Sequence, residues 1–352
     1  MFPNADVQQS YERIVEILSL SPERYFGNAT SPVFLPIDFV SRPGSEIVKC
    51  RVRFAESELV IYIKFFLFWR MSEAAAERIG RRIKDDVEIT SLLYARLNGN
   101  SEQRVPKIVA YFPEERAVVT EQSEGEPLLD IIAKCAGGYP RRKILATLAA
   151  RCHAVGRWLK EFQKITATDS SIAELEADVL GYVDHRLRKL AASSDLTKNE
   201  HAAVLKFLER KLSTADCASM RTCGVHGDFG PSNILVHADQ VTVLDFAMYN
   251  IGLPYIDPSY LYQRMEGFLT KPFFRRSTIE FLQRSFLDGY QPNFDLHHPM
   301  FEISRVRHMV NRLVDLTNAD RLSGIKILYQ RWQYTKCLND LKQIVTNSSG
   351  YF

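Results

Sequence analysis

Apolar and polar residues alternate along Ile47-Val48-Lys49-Cys50-Arg51-Val52-Arg53-Phe54, the period-two pattern of a half-buried strand. Residues 55–58 read as a turn. A second β-rich run follows at 59–66, inside an apolar stretch that continues to Trp69. The period then changes. Residues 72–98 are rich in Ala, Glu, Arg and Leu and predict one long helix or two, closed by Gly99. Residues 105–112 and 117–121 predict two more strands around a turn at 113–116, and 8–20 predict a short leading helix. Beyond Gly125 the pattern is mainly helical, at 141–165, 171–192 and 199–212 and again from 256 onward. Two β segments interrupt it, at 224–236 and 241–246. There is no internal repeat and no low-complexity tract. The pattern is that of an α+β chain: a small β-rich lobe with one main helix, then a larger, mainly helical lobe, joined at about 121–126.

Composition narrows this only a little. With 352 residues, 46% hydrophobic and 25% charged, the chain has material for a real core, so disorder is excluded. The net charge of +3 demands no nucleic-acid partner. The charge is uneven, however. Residues 260–352 hold 13 Lys or Arg against 8 Asp or Glu. The six cysteines, at 50, 135, 152, 217, 223 and 337, form no Cys-x-x-Cys pair and offer no zinc spacing. They fit reduced thiols in a cytoplasmic protein. Cys152 and His153 adjoin in sequence, but neighbours on a helix point apart, so a structural role is expected. Residues 1–20 lack the basic and apolar regions of a signal peptide, and the 59–69 run contains Lys64 and is too short to cross a bilayer.

The chemistry is concentrated between Val225 and Phe246. A strand-like start leads into His226-Gly227-Asp228, Asn233 follows five residues after the aspartate, and Ile234-Leu235-Val236 resumes the β pattern. Val241-Thr242-Val243-Leu244 then leads into Asp245-Phe246. Two carboxylates and an amide thus sit at the ends of two short strands. Phosphoryl transfer needs hard oxygen ligands for Mg, which Asn233 and Asp245 supply. It also needs a carboxylate that accepts or orients the proton of the attacking hydroxyl, and Asp228 is placed for that. Gly227 allows a tight backbone turn before Asp228. The His-Gly-Asp-x4-Asn pattern alone arises by chance in on the order of one in a thousand chains of this length.

These segments resemble the aminoglycoside phosphotransferase and choline kinase-like family, relatives of the protein kinases, over roughly residues 35–295. The resemblance implies a bilobal protein kinase-like fold using ATP and Mg. Residues 1–29 would be a helical extension, 30–123 an N-lobe that binds nucleotide, and 124–352 a C-lobe with the catalytic loop and acceptor site. Lys64, ending Val60-Ile61-Tyr62-Ile63-Lys64, resembles the strand lysine that contacts the nucleotide α- and β-phosphates. Glu88 resembles the helix glutamate that pairs with it, with Glu77 the rival. Thr120-Glu121-Gln122-Ser123-Glu124-Gly125 resembles the hinge, where Glu121, Gln122 and Ser123 would meet the adenine through backbone groups. The turn Arg42-Pro43-Gly44-Ser45-Glu46 would bring Ser45 to the phosphates, although one glycine makes no Gly-rich loop. His226 would brace the loop, and Asp257 would support it from behind or cap the next helix. Ala247 stands after Asp245-Phe246 where protein kinases have glycine.

The acceptor is less constrained. Past Asp257 the chain mixes rings and bases, among them Tyr260, Arg264, Arg305, Arg307, Tyr329 and Trp332. Aromatic faces and Arg forks suit a sugar or glycoconjugate hydroxyl. A kinase for an amino alcohol or aminoglycoside, and a non-catalytic nucleotide-binding pseudokinase, stay open beside it. So does peripheral contact of the basic C-terminal third with a membrane surface.

Overall fold

The computed structural model describes residues 4–42, 44–67, 73–97, 99, 102–170, 176–192, 196–216, 220–317 and 325–347. Pro43, Trp69, Cys217 and the predicted helix start at 171–175 lie outside the described residues. The chain divides into two compact units: 1–127 with 233–249, and 128–232 with 250–352.

Unit 1 opens with helices α1 (Ala5–Leu20) and α2 (Pro22–Phe26), then strands β1 (Val33–Arg42), β2 (Ser45–Arg53) and β3 (Glu58–Phe66). Helix α3 (Glu73–Leu97) leads to β4 (Gln103–Arg104), β5 (Ile108–Phe112), β6 (Ala117–Glu121) and β7 (Glu126–Pro127). The main sheet has the antiparallel order β1-β2-β3-β6-β5. Successive side chains on a strand face opposite ways. Val48, Cys50 and Val52 of β2 and Ile61, Ile63 and Phe65 of β3 therefore share one face, and they pack with Val7, Tyr11, Ile14 and Leu18 of α1. The leading helix is thus part of the unit's core. On the other face Phe66 and Val118 pack with Ile83 of α3.

Unit 2 is helical: α4 (Leu128–Cys135), α5 (Arg142–Ile165), α6 (Glu176–Ala192) and α7 (Lys198–Thr214), followed by β8 (Cys223–Val225). The chain then returns to unit 1 for β9 (Ile234–His237) and β10 (Gln240–Val243). These join a second sheet of order β4-β10-β9-β7. Back in unit 2, β11 (Asn250–Gly252) pairs with β8. Helices α8 (Ile256–Glu266), α9 (Arg276–Tyr290), α10 (Pro299–Thr317) and α11 (Ile325–Asn347) complete it. The return of 233–249 moves the boundary away from the continuous 124–352 lobe expected from sequence, because β9 and β10 find their partners in β7 and β4.

Among the described residues no helix is long and apolar enough to cross a membrane. Cys152 is buried, which pushes its thiol up to about 12, whereas the neighbouring His153 side chain is 43% exposed. The pair makes no dyad.

Candidate active site

The loop around Asp228 belongs to unit 2 and is held by its backbone. Asp257, fully buried on the first turn of α8, accepts from both His226 N–H (2.7 Å to Oδ2) and Gly227 N–H (3.0 Å to Oδ1). Burial pushes the Asp257 carboxyl up, and the charge of His226, these two bonds and the charge of Arg307 pull it down. Gly227 sits at φ +79°, a left-handed turn that glycine adopts without penalty. The Asp228 N–H donates to His226 Nδ1 at 3.3 Å, and Phe229, also buried, stacks on Trp158 of α5 at 5.9 Å. The loop is thereby tied to α8 and α5. Asp228 itself stays partly exposed, and its Oδ1 accepts a 2.7 Å hydrogen bond from the hydroxyl of Tyr260, one turn beyond Asp257 on α8. Burial, and then the charge of Asp228 against that of Arg264, keep the Tyr260 phenol ionising well above its ordinary range. It is a donor at any working pH.

The phosphate and metal candidates lie together in unit 1. Leu244 N–H donates to the Asn233 carbonyl at 2.9 Å, which sets the end of β9 beside the turn that follows β10. Asp245 occupies that turn at φ +64°, a left-handed conformation that Asp tolerates better than most residues. Its side chain is 42% exposed, and its Oδ1 lies 3.1 Å from Lys64 Nζ of β3. The Lys64 ammonium also sits 4.9 Å from the centre of the Phe66 ring.

The helix acid beside this pair is Asp86, not the expected Glu88. Asp86 Oδ1 accepts from Phe246 N–H at 3.0 Å and from Thr90 Oγ1 at 3.3 Å. Burial and the nearby charge of Asp245 push its carboxyl up to about 6, against the pull of Lys64. Glu88 instead makes an exposed pair with Lys84 at 3.7 Å, and Glu77 one with Arg81 at 3.9 Å. Helix geometry explains the difference. Each residue turns the helix by about 100°, so Asp86 falls on the stripe of Ile83, Thr90 and Leu93, all buried, while Glu88 lies across the helix. That stripe was the signal available in the sequence.

The remaining expected residues are placed as follows. Ser45 is buried at the start of β2, opposite Arg42 and Phe66, at the β1–β2 turn. Glu121 N–H donates to the Lys107 carbonyl (3.0 Å) and Gln122 N–H to the Val60 carbonyl (2.8 Å), while the Glu121 carboxylate pairs with Lys107. Both backbone donors are committed to these carbonyls, and Gln122 and Ser123 follow the end of β6 at Glu121.

A sequence model of the phosphotransferase enzyme family matches residues 78–296. The chain belongs to that family. The match spans Asp86, the Asp228 loop, Asp245 and Asp257. No curated protein matches this phosphotransferase in sequence. Solved structures match its fold over nearly the whole chain. An ADP-bound aminoglycoside phosphotransferase is 16% identical with TM-score 0.54, over 96% of this chain and 98% of that one. A choline kinase from Cryptosporidium parvum is 12% identical with TM-score 0.54, over 96% and 97%. Amicoumacin kinase in complex with AMP-PNP and Ca2+ is 13% identical with TM-score 0.51, over 97% and 96%. At these identities the likeness is one of fold: the α+β, kinase-like architecture expected from sequence.

Proposed function

We propose that this phosphotransferase is a kinase that moves the γ-phosphoryl group of ATP to a hydroxyl of a small molecule. The observation that carries the reading is the mounting of Asp228, on a loop whose backbone donors are held by a buried carboxylate and whose own carboxylate is fixed by Tyr260. Such a group suits a base that orients the attacking hydroxyl and takes its proton. The new bond forms between the acceptor oxygen and the γ-phosphorus, the bond to the β-γ bridging oxygen breaks, and ADP leaves. Lys64 would hold the α- and β-phosphates by charge, and Asp86, tied to Phe246 N–H, keeps the turn bearing Asp245 in place.

The donor set fits Mg. Asn233 and Asp245 offer hard oxygen ligands, and among the described residues no three or more His, Cys, Asp or Glu gather into a complete cage. Mg is commonly bound in this manner, by one or two protein oxygens together with phosphates and water. When bound it neutralises charge on the β- and γ-phosphate oxygens. The fold neighbours solved with ADP or AMP-PNP, one of them with Ca2+, support a nucleotide and a divalent cation here.

For the acceptor we favour a sugar-ring hydroxyl, free or in a glycoconjugate. Arg264 lies 5.8 Å from the Tyr260 ring that touches Asp228, and on α11 the rings of Tyr329 and Trp332 lie 5.9 Å apart. Two arginines counted toward that reading are engaged elsewhere: Arg305 pairs with Glu266 at 3.1 Å, and Arg307 stacks on Tyr182 at 4.6 Å. An amine-bearing acceptor is the second reading, favoured by the aminoglycoside phosphotransferase and choline kinase among the fold neighbours. Among the described residues the cysteines are free and mostly buried, which suits a cytoplasmic enzyme.

The test is ADP release from Mg-ATP across a panel of sugars, aminoglycosides and amino alcohols, for wild type and Asp228→Asn. We expect one class to stimulate the wild type, and the variant to bind ATP while losing roughly 10²- to 10⁴-fold in rate, the span of a lost general base. Equal turnover by the two would remove Asp228 from this role. ATP binding with no turnover on any acceptor would favour the pseudokinase.

A further inference from the structure

Large aromatic side chains rarely stand out in solvent without a reason when they cluster with charge of one sign. In unit 2, Tyr139 is 83% exposed and Phe273 is 74% exposed. They sit on two loops pinned together: Gly137 bridges to Phe274, and Gly138 N–H donates to the Phe273 carbonyl at 2.7 Å. Phe274 turns inward against Phe268, with ring centres 5.0 Å apart, and its neighbour Phe273 is left facing out. The Arg275 guanidinium lies over the Tyr139 ring at 4.1 Å, which joins the two tips into one surface.

Every charge on these loops is positive. Residues 134–143 read Lys-Cys-Ala-Gly-Gly-Tyr-Pro-Arg-Arg-Lys and 267–276 read Gly-Phe-Leu-Thr-Lys-Pro-Phe-Phe-Arg-Arg, without one Asp or Glu. Arg141, Arg142, Lys143, Lys271, Arg275 and Arg276 are all exposed. Arg276 pairs with Glu280 at 3.7 Å, the nearest acid in sequence on that side. Helix capping does not account for the bases at the two helix starts. Arg141 and Arg275 occupy the N-cap positions of α5 and α9 without a side-chain cap, and neither first turn holds an acid. Cations there oppose the helix dipole, so local stability favours other residues at these places.

We propose that this surface docks on an anionic membrane face, with Tyr139 and Phe273 entering the headgroup layer and the surrounding Lys and Arg meeting lipid phosphates and carboxylates. Charge complementarity selects the occupant: exposed aromatic tips carry apolar area into an interface while the bases stay at headgroup level. Projecting tips suit a flat, deformable surface, whereas a strand of nucleic acid is held in a groove that tracks its backbone. The proposal stands apart from the identity of the acceptor and from catalysis.

The experiment is co-sedimentation of the full chain with vesicles of phosphatidylcholine alone or with roughly 30% phosphatidylserine, at about 0.05 M and about 0.5 M salt. We expect binding to the anionic vesicles at low salt only. Arg141→Gln with Arg142→Gln should weaken it by about fivefold per charge removed. Tyr139→Ser with Phe273→Ser should weaken it by about tenfold or more. Lys206→Gln, an exposed lysine on α7, should leave it unchanged. These are all surface positions, and circular dichroism checks that the variants are folded. Absence of binding to anionic vesicles at low salt overturns the proposal, as does equal binding to neutral ones. A loss on Lys206→Gln as large as that on the double arginine variant would reduce it to general charge. A single-stranded oligonucleotide bound more tightly than the vesicles, through the same residues, would assign the surface to nucleic acid.

Discussion

The Tyr260 hydroxyl and the Asp228 carboxylate form the contact on which the proposed chemistry turns. A hydrogen bond to a charged group contributes about 1.5–3 kcal/mol, and this one, at 2.7 Å, stabilises the ionised carboxylate and fixes its rotation. Tyr260→Phe keeps the ring, its edge-to-face contact with His308 at 5.0 Å and the packing beside Gly230, and removes only the donor. If Asp228 is the base, the variant should lose about tenfold in kcat with KM for ATP unchanged. Asp228→Asn serves as the reference. A dead Asp228→Asn beside a Tyr260→Phe that matches wild type in rate would confine Tyr260 to packing and leave the base assignment standing.

At the scale of elements, α5 and α9 approach until their backbones touch. A Cβ on Gly156 would come within 2.1 Å of the Phe286 carbonyl oxygen, and one on Gly289 within 2.0 Å of that of His153. No side chain can yield there, because the obstacles are backbone. Gly156→Ala must therefore push the helices apart and loosen the packing of Trp158, Phe162 and Phe286, all fully buried. Overpacking of this kind costs about 1–3 kcal/mol or more, and we expect a lower melting temperature with no change in helix content. An unchanged melting temperature would show that the interface can widen freely. This contact illustrates what the chain reveals of itself. The alternation of β2 and β3 and the long helical runs are legible because each buries a periodic face on one partner. Strand β1 is not legible: as an edge strand with a shift at Pro36 and Asp38 and no buried residue, it carries no alternation. The strands β4 and β7 are two residues each and exist only through their partners. The helix acid was assigned to Glu88 by likeness, whereas the buried stripe of α3 leads to Asp86. The Asp228 loop was the clearest segment, since its chemistry is compressed into one short run.

For the whole molecule, nonlocal pairing decides where the units divide, and buried titratable groups decide how the fold responds to pH. Residues 233–249 return to unit 1 because β10 pairs in parallel with β4, a partner far back in the chain, and no local pattern announces that. His308, buried on α10, bonds the Ile256 carbonyl at the start of α8 through Nε2 at 2.9 Å, so the neutral ring donates there. Burial is the main cause that lowers its pKa, from 6.5 to about 4, assisted by the charge of Arg307 and opposed by the bond to Ile256. The sign follows from the proton count. Above pH 6.5 neither the folded nor the unfolded chain protonates this ring, and its contribution is fully present. Below 6.5 the unfolded chain takes up a proton that the folded chain refuses until about pH 4, so stability falls across that window. Between pH 7 and pH 5 the loss from this one group is about 2 kcal/mol. Asp86 works in the opposite direction, since a carboxyl raised to about 6 costs stability as pH rises from 3.8 toward that value. Comparing wild type with His308→Gln separates the two, because Asp86 is common to both and glutamine can still donate to the Ile256 carbonyl. Urea unfolding at pH 7 and pH 5 should show the wild type losing about 2 kcal/mol more than His308→Gln over that interval. Equal losses would mean that His308 protonates in the folded chain as readily as in the unfolded one, and the α8–α10 contact behind Tyr260 would then be open to water.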